Sequence, residues 1–248
     1  MKNVLFLDYD GVVNRKMWTQ QDGRWVCRWG YPEDGKVNDA QAVQWVSEFC
    51  ETCGFDIVVT STWRKYPEWE TCLKNGGLRE NVKILGATSF SEKGRPQEIA
   101  EFLATHPEIE AYVIVDDNDA LFASVDPLDL EGGSADICSG HLVTCSEDHG
   151  FGEEEYRLAA ALYFRQKYLH MRRTEERGGN CSDAYALTDA ARELLSSVGL
   201  ITVTLLQRGF YVGYEKALRI IEELLLSGDA TKVVVKGEAK YKLTTKNK

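Results

Sequence analysis

The chain has 248 residues, enough for one large domain and one small one. Hydrophobic residues make up 44%, aromatics 10% and charged residues 27%; this balance excludes large-scale disorder, and no run approaches the roughly 18 apolar residues of a membrane span. The net charge of −10 excludes a chain that coats itself uniformly in nucleic acid.

The charge is unevenly placed. Residues 1–164 carry 14 Lys and Arg against 29 Asp and Glu, whereas the remainder carries 15 against 10. An acidic body therefore bears a mildly basic tail. The apolar run after Lys2 is broken at Asp8, too early for a secretory signal, so a cytoplasmic location is expected. Seven cysteines at irregular spacing fit reduced thiols better than a disulfide framework. Cys50 and Cys53 form a C-x-x-C without a second pair, and with Val43, Val46 and Phe49 they share one helical face, so they read as small core residues rather than a zinc site.

In chain order, "NVLFLD" reads as a buried strand. A helix follows in "NDAQAVQWVSEFCETCG", capped by Asn38 or Asp39 and stopped at Gly54, and "FDIVVTS" is the next strand. The alternation continues with helix "PEWETCLKNGG", strand "VKILGAT", helix "GRPQEIAEFLATHP" and strand "AYVIVDD". After a polar loop come an outer strand, "GHLVTCS", and a long helix, "GEEEYRLAAALYFRQKYLH". Strands that read as continuous Val/Ile/Leu runs between amphipathic helices predict a doubly wound, Rossmann-like parallel sheet buried on both faces, over residues 1–170. "MRRTEERGGNCSD" breaks the rhythm, and residues 171–182 read as a linker. Residues 183–248 follow a different pattern: a helix near 184–198, a short helix "VTLLQRGF", a turn, a helix over Tyr214–Leu226 and two β-type runs. Three helices and a hairpin predict a small winged helix.

Ligands of open α/β sheets bind beyond the carboxyl ends of the strands. There the sequence places Asp8 and Asp10, then Thr60, Ser61 and Arg64, then Lys93 at the start of a helix, then Asp116 and Asp117. Four carboxylates at one edge repel each other unless a cation sits among them, and Mg²⁺ with oxygen ligands answers that need. Thr60, Lys93 and backbone amides would hold an anion beside it.

This order, D-x-D-G-V followed by strand-end Thr/Ser, Lys and D-D, resembles the four motifs of the haloacid dehalogenase (HAD) superfamily of phosphatases over about residues 1–165. The resemblance implies Asp8 as the nucleophile that forms an aspartyl-phosphate and Asp10 as the general acid. It further implies Mg²⁺ held by Asp8, Asp10 through its carbonyl, and Asp116 or Asp117. Thr60 or Ser61 would bind a phosphoryl oxygen, and Lys93 would neutralise developing charge. The gap after the first motif, "RKMWTQQDGRWVCRWGYPEDGK", offers only a flap, so the cap is minimal and the site open to a large substrate. Trp18, Trp25, Trp29 and Tyr31 stand in that flap beside Arg15, Lys16, Arg24 and Arg28; they suit unstacked bases or else anchor the flap. "VVTSTWR", "KGRPQEIAEFL" and "YVIVDDND" are most similar to HAD domains of nucleic-acid end-repair proteins, which makes Arg64 a phosphate or substrate ligand.

The tail "TLLQRGFYVGYEKALRIIEEL" resembles the gamma domain of the FtsK/SpoIIIE translocases, a winged helix that reads duplex DNA. Ala217, Ile220, Ile221 and Leu224 would pack inward. Glu215, Lys216 and Arg219 would face a groove, with Arg208 and Lys236 against phosphates. Gly209 and Tyr211 depart from that family's more basic pattern, and Glu215 replaces its Asn. The expectation is a Mg²⁺-dependent phosphomonoesterase for a nucleic-acid terminal phosphate, 3′ favoured, bound to DNA more readily than RNA. Its rivals are a nucleotide or small-molecule phosphatase and a DNA-binding regulator with a non-catalytic HAD domain.

Overall fold

The computed structural model describes residues 2–28, 38–123, 138, 140–175 and 183–244. The chain divides into two compact units, Met1–Tyr156 and Arg157–Lys248.

In the first unit, β1 (Lys2–Leu7), β4 (Phe55–Val59), β5 (Ile84–Ala87), β6 (Ile109–Asp116) and β7 (Leu142–Thr144) form one parallel sheet in the order β5-β4-β1-β6-β7. The chain winds outward from β1 through β4 to β5, then crosses to the other side of β1 for β6 and β7. That reversal places the switch point between β1 and β6, as a doubly wound sheet requires. Helices α1 (Ala40–Cys53), α2 (Trp69–Asn75), α3 (Arg95–Thr105) and the short α4 (Ala120–Ala123) provide the crossovers; α4 was not anticipated in the polar loop after β6. Val4, Phe6, Val58, Ile99, Ile114 and Phe122 form one buried cluster on the α3 side. Phe55, of opposite parity on β4, meets Phe49 of α1 with ring centroids 4.7 Å apart, so both sheet faces are covered. Asp39 rather than Asn38 caps α1, accepting from the amides of Gln41 at 2.9 Å and Ala42 at 3.0 Å. Asn38 instead donates to the Cys72 carbonyl. Cys50, Cys53, Cys72 and Cys145 are buried free thiols, and burial pushes Cys50 and Cys145 well up from the usual thiol range.

The expected flap contains an antiparallel hairpin, β2 (Met17–Gln21) and β3 (Arg24–Arg28), turning at Asp22–Gly23. Its base is fixed by Arg15 paired with Asp39 at 2.6 Å and Lys16 paired with Glu147. Trp18 and Trp25 fall on its strands, while Trp29 and Tyr31 lie outside the described residues.

Helix α5 (Glu153–Glu175) runs five residues into the expected linker before the described residues resume at α6. In the second unit, α6 (Asp183–Val198), β8 (Leu200–Ile201), α7 (Val203–Phe210) and α8 (Tyr214–Leu226) precede the hairpin β9 (Ala230–Val235) and β10 (Glu238–Leu243). β8 joins that hairpin in a sheet ordered β8-β10-β9. Ala217, Ile220, Ile221 and Leu224 are buried, as the helical spacing predicts. No helix among the described residues is long and apolar enough to cross a membrane.

Candidate active site

Sheet register builds the site. Leu7 pairs with Val59 on one side and Val115 on the other, so the next residues in line are Thr60, Asp8 and Asp116. The ladder extends to the Asp8 amide, which donates to the Val115 carbonyl at 3.0 Å, and to the Thr60 amide, which donates to Leu7 at 2.9 Å. The three residues before this row are apolar on each strand, Leu5–Leu7, Ile57–Val59 and Val113–Val115, and the row itself is polar, because the sheet interior is dry and its carboxyl edge faces the crossover loops.

Asp8 and Asp116 are buried and Asp117 is half-buried. One carboxylate oxygen from each lies within 4.8 Å of the others. Burial first, and the neighbouring Asp8 second, push Asp116 up to about 7 and Asp117 up to about 6. Three hard oxygen donors brought this close are the donor set that a divalent cation such as Mg²⁺ takes, so the residues fit the ion. Gly11, at φ +72°, lets the loop after β1 approach closely: a Cβ there would sit 2.2 Å from an Asp117 carboxylate oxygen.

Asp10 stands beside this group on the same loop. It accepts from Trp63 Nε1 at 3.0 Å on one oxygen and from Asn14 Nδ2 at 2.6 Å on the other. Burial raises its pKa from the ordinary carboxyl range, against the pull of those two donors. Thr60 is fully buried and its hydroxyl has no hydrogen-bond partner among the described residues. That leaves a donor uncommitted on the strand edge. Ser61 is otherwise engaged, its hydroxyl accepting from the Trp63 amide at 3.4 Å to cap a single 3-10 turn, Thr62–Lys65.

The basic residues divide differently from expectation. Lys93 is exposed in the loop before α3. Two residues on, Arg95 bridges the β1 and β6 carboxylates, 2.9 Å from Asp8 and also bonded to Asp116. Arg95 was missed because "EKGRP" offers two cations, and only the point where α3 begins decides which turns inward; its place directly before Pro96, at a helix start, was the available signal. Arg64 is buried against protein partners. It donates to the carbonyls of Thr60 and Ser61, the latter at 2.7 Å, pairs with Glu98 at 2.6 Å and lies 3.9 Å from the ring centre of Phe90. Glu98 also accepts from the Ser91 amide at 3.2 Å, tying the loop before α3 to the end of β4.

A family model described as the HAD domain in Swiss Army Knife RNA repair proteins matches residues 4–156, more than half of the chain. The chain belongs to this family. Comparison with curated proteins and with solved structures finds no match. Membership in this HAD family agrees with the motif order, with the five-stranded parallel sheet and with a relation to nucleic-acid repair. The match ends within the first turn of α5.

In the second unit, Arg208, Lys216, Arg219 and Lys236 are all exposed, Lys236 at the β9–β10 turn. Gly209 has a packing reason: a Cβ there would fall 2.3 Å from that of Ala161, so α7 crosses α5 at a spacing only glycine permits. Tyr211 ends α7 in a left-handed conformation with the Arg165 guanidinium 4.9 Å from its ring centre. A basic side chain at either position would disturb these contacts.

Proposed function

We propose that the first unit is a Mg²⁺-dependent phosphomonoesterase acting through an aspartyl-phosphate on Asp8. The observation that carries the proposal is the meeting, on one strand edge, of the Asp8, Asp116 and Asp117 oxygens, an Asp10 carboxyl held by two donors, and a Thr60 hydroxyl with no partner among the described residues. An Asp8 oxygen attacks phosphorus, the bond to the leaving oxygen breaks, and the Asp10 proton passes to that oxygen. Water then attacks the acyl phosphate, returns a proton to Asp10 and frees Asp8 and inorganic phosphate. Mg²⁺ held by Asp8, Asp116 and Asp117 would screen the phosphoryl charge from its carboxylate attacker. Thr60 would donate to a phosphoryl oxygen, Arg95 would supply positive charge beside Asp8, and the exposed Lys93 would serve at the mouth.

The substrate we favour is the terminal phosphate of a nucleic acid, with a 3′-phosphate first. The family's tie to RNA repair moves the expectation from DNA toward an RNA end. Tyr66 and Phe90 are exposed on the loops that follow β4 and β5, and Lys65 lies 5.0 Å from the Phe90 ring centre; exposed aromatics with cations suit an unstacked base. The second unit is proposed as a winged helix that meets phosphates through Arg208, Lys216, Arg219 and Lys236. Its tether would raise the local concentration of nucleic-acid ends.

Phosphate release with Mg²⁺, measured for wild type and Asp8→Asn on 3′- and 5′-phosphorylated RNA and DNA oligonucleotides and on a mononucleotide, tests the proposal. Release from the 3′-phosphorylated RNA, abolished by Asp8→Asn and by chelation, is expected. Absence of metal-dependent release from every substrate would overturn the phosphatase reading, and preference for the mononucleotide would overturn the nucleic-acid one.

A further inference from the structure

The proposed general acid is held by a residue 53 positions away. Trp63 is buried, 4% exposed, in the 3-10 turn after β4, and its indole Nε1 donates to Asp10 at 3.0 Å. Its ring lies 5.6 Å from that of Tyr9 and 6.4 Å from that of Tyr66. Tyr9 is itself pinned, fully buried, with its hydroxyl donating to the Trp69 carbonyl at 2.8 Å. On the other side Asn14, also buried, donates to the second Asp10 oxygen at 2.6 Å, and the backbones of Asp10 and Asn14 pair in an isolated bridge. The Tyr9 carbonyl receives the amides of Val12, Val13 and Asn14 at 3.1, 2.9 and 2.7 Å, so the whole turn is closed.

We infer that Trp63, with Asn14, is a positioning residue that fixes which face of the Asp10 carboxyl presents its proton. An indole N–H can donate but never accept, and the Asn14 contact uses the amide's donor end. Neither partner takes the proton that Asp10 must deliver. Each Asp10 oxygen already receives one hydrogen bond, so the proton is confined to the remaining lone pairs, on the side away from both donors. The two donors also hold the ring of contacts when Asp10 is ionised and must receive a proton from water in the second half of the reaction. The function is directional: it sets where the proton points and leaves its delivery to Asp10.

This inference rests on the phosphatase reading, and the test separates the two. A correctly aimed acid matters most when the leaving oxygen is a poor leaving group, such as a ribose hydroxyl, and least for p-nitrophenolate, which departs without a proton. Trp63→Phe keeps an aromatic ring at the position and removes the N–H, at the cost of some buried volume; Asn14→Ala removes the second donor. Steady-state rates on a 3′-phosphorylated oligonucleotide and on p-nitrophenyl phosphate are compared at one pH for wild type and both variants, with circular dichroism as a check on folding. Both rates are expected to fall in each variant. The oligonucleotide rate should fall further, lowering the ratio of the two by about tenfold or more, a part of the 10²–10⁴ that general acid catalysis supplies. Equal losses on both substrates in the folded variants, or a ratio unchanged from wild type, overturn the inference while leaving the phosphatase reading intact. If Trp63→Phe does not fold, the Asn14→Ala ratio decides alone. A wild type that releases phosphate from neither substrate overturns the phosphatase reading itself.

Discussion

Replacing Glu98 by Leu tests whether the buried cation network holds the site together. The Glu98 side chain is 6% exposed and that of Arg64 4%, with 2.6 Å between carboxylate and guanidinium. At an effective dielectric of about 20 their attraction is about 6 kcal/mol before the cost of desolvation. Burial lowers the Arg64 pKa from its ordinary value, and the neighbouring Glu98 carboxylate opposes that shift. Leucine removes that partner together with the acceptor for the Ser91 amide and for the Thr88 hydroxyl at 3.4 Å. Stranding a buried charge in this way costs about 3–5 kcal/mol. At about 2–4 °C per kcal/mol for a unit of this size, the first unit should melt about 6–20 °C lower by circular dichroism. Pairing the change with Arg64→Met should recover more than half of the loss, because the uncompensated charge is gone. As a control, Glu70→Gln, which breaks an exposed pair with Lys74, should leave the transition within about 2 °C. A Glu98→Leu loss under about 3 °C, or losses at Glu98 and Arg64 that simply add, would refute the argument.

Gly11→Ala should cost about 1–2 kcal/mol from left-handed strain and displace Asp117, raising the Mg²⁺ concentration needed for half-maximal phosphate release at least about threefold; an unchanged Mg²⁺ titration would contradict the close approach at that loop. Gly209→Ala places a methyl against Ala161, and overpacking of about 1–3 kcal/mol should outweigh the helix propensity gained, about 1 kcal/mol. The second unit should then unfold at lower temperature, and an equal or higher transition would show that α5 and α7 have room.

The local patterns in the sequence determined most of the architecture. Each buried strand announces itself as an apolar run, and each ends on a polar residue because its interior is dry and its carboxyl edge is not. Asp8, Asp10, Thr60, Asp116 and Asp117 were legible for that reason, as were the inward residues of α8 at helical spacing. What remained hidden was set by partners distant in the chain. Trp63 reaches Asp10 across 53 positions, and Glu98 reaches Arg64 across 34. Neither link leaves a periodic trace, because a hydrogen bond between distant segments depends on sheet order and register rather than on spacing. The same holds for Arg95 over Lys93 and for Asp39 over Asn38: adjacent candidates of similar chemistry are separated only by where a helix begins, and that point is fixed by how the helix packs. The D-x-D pair thus told which carboxylates stand at the strand edge, and only the tertiary structure decided that Arg95 bridges Asp8 to Asp116 and that Trp63 and Asn14 hold the Asp10 carboxyl.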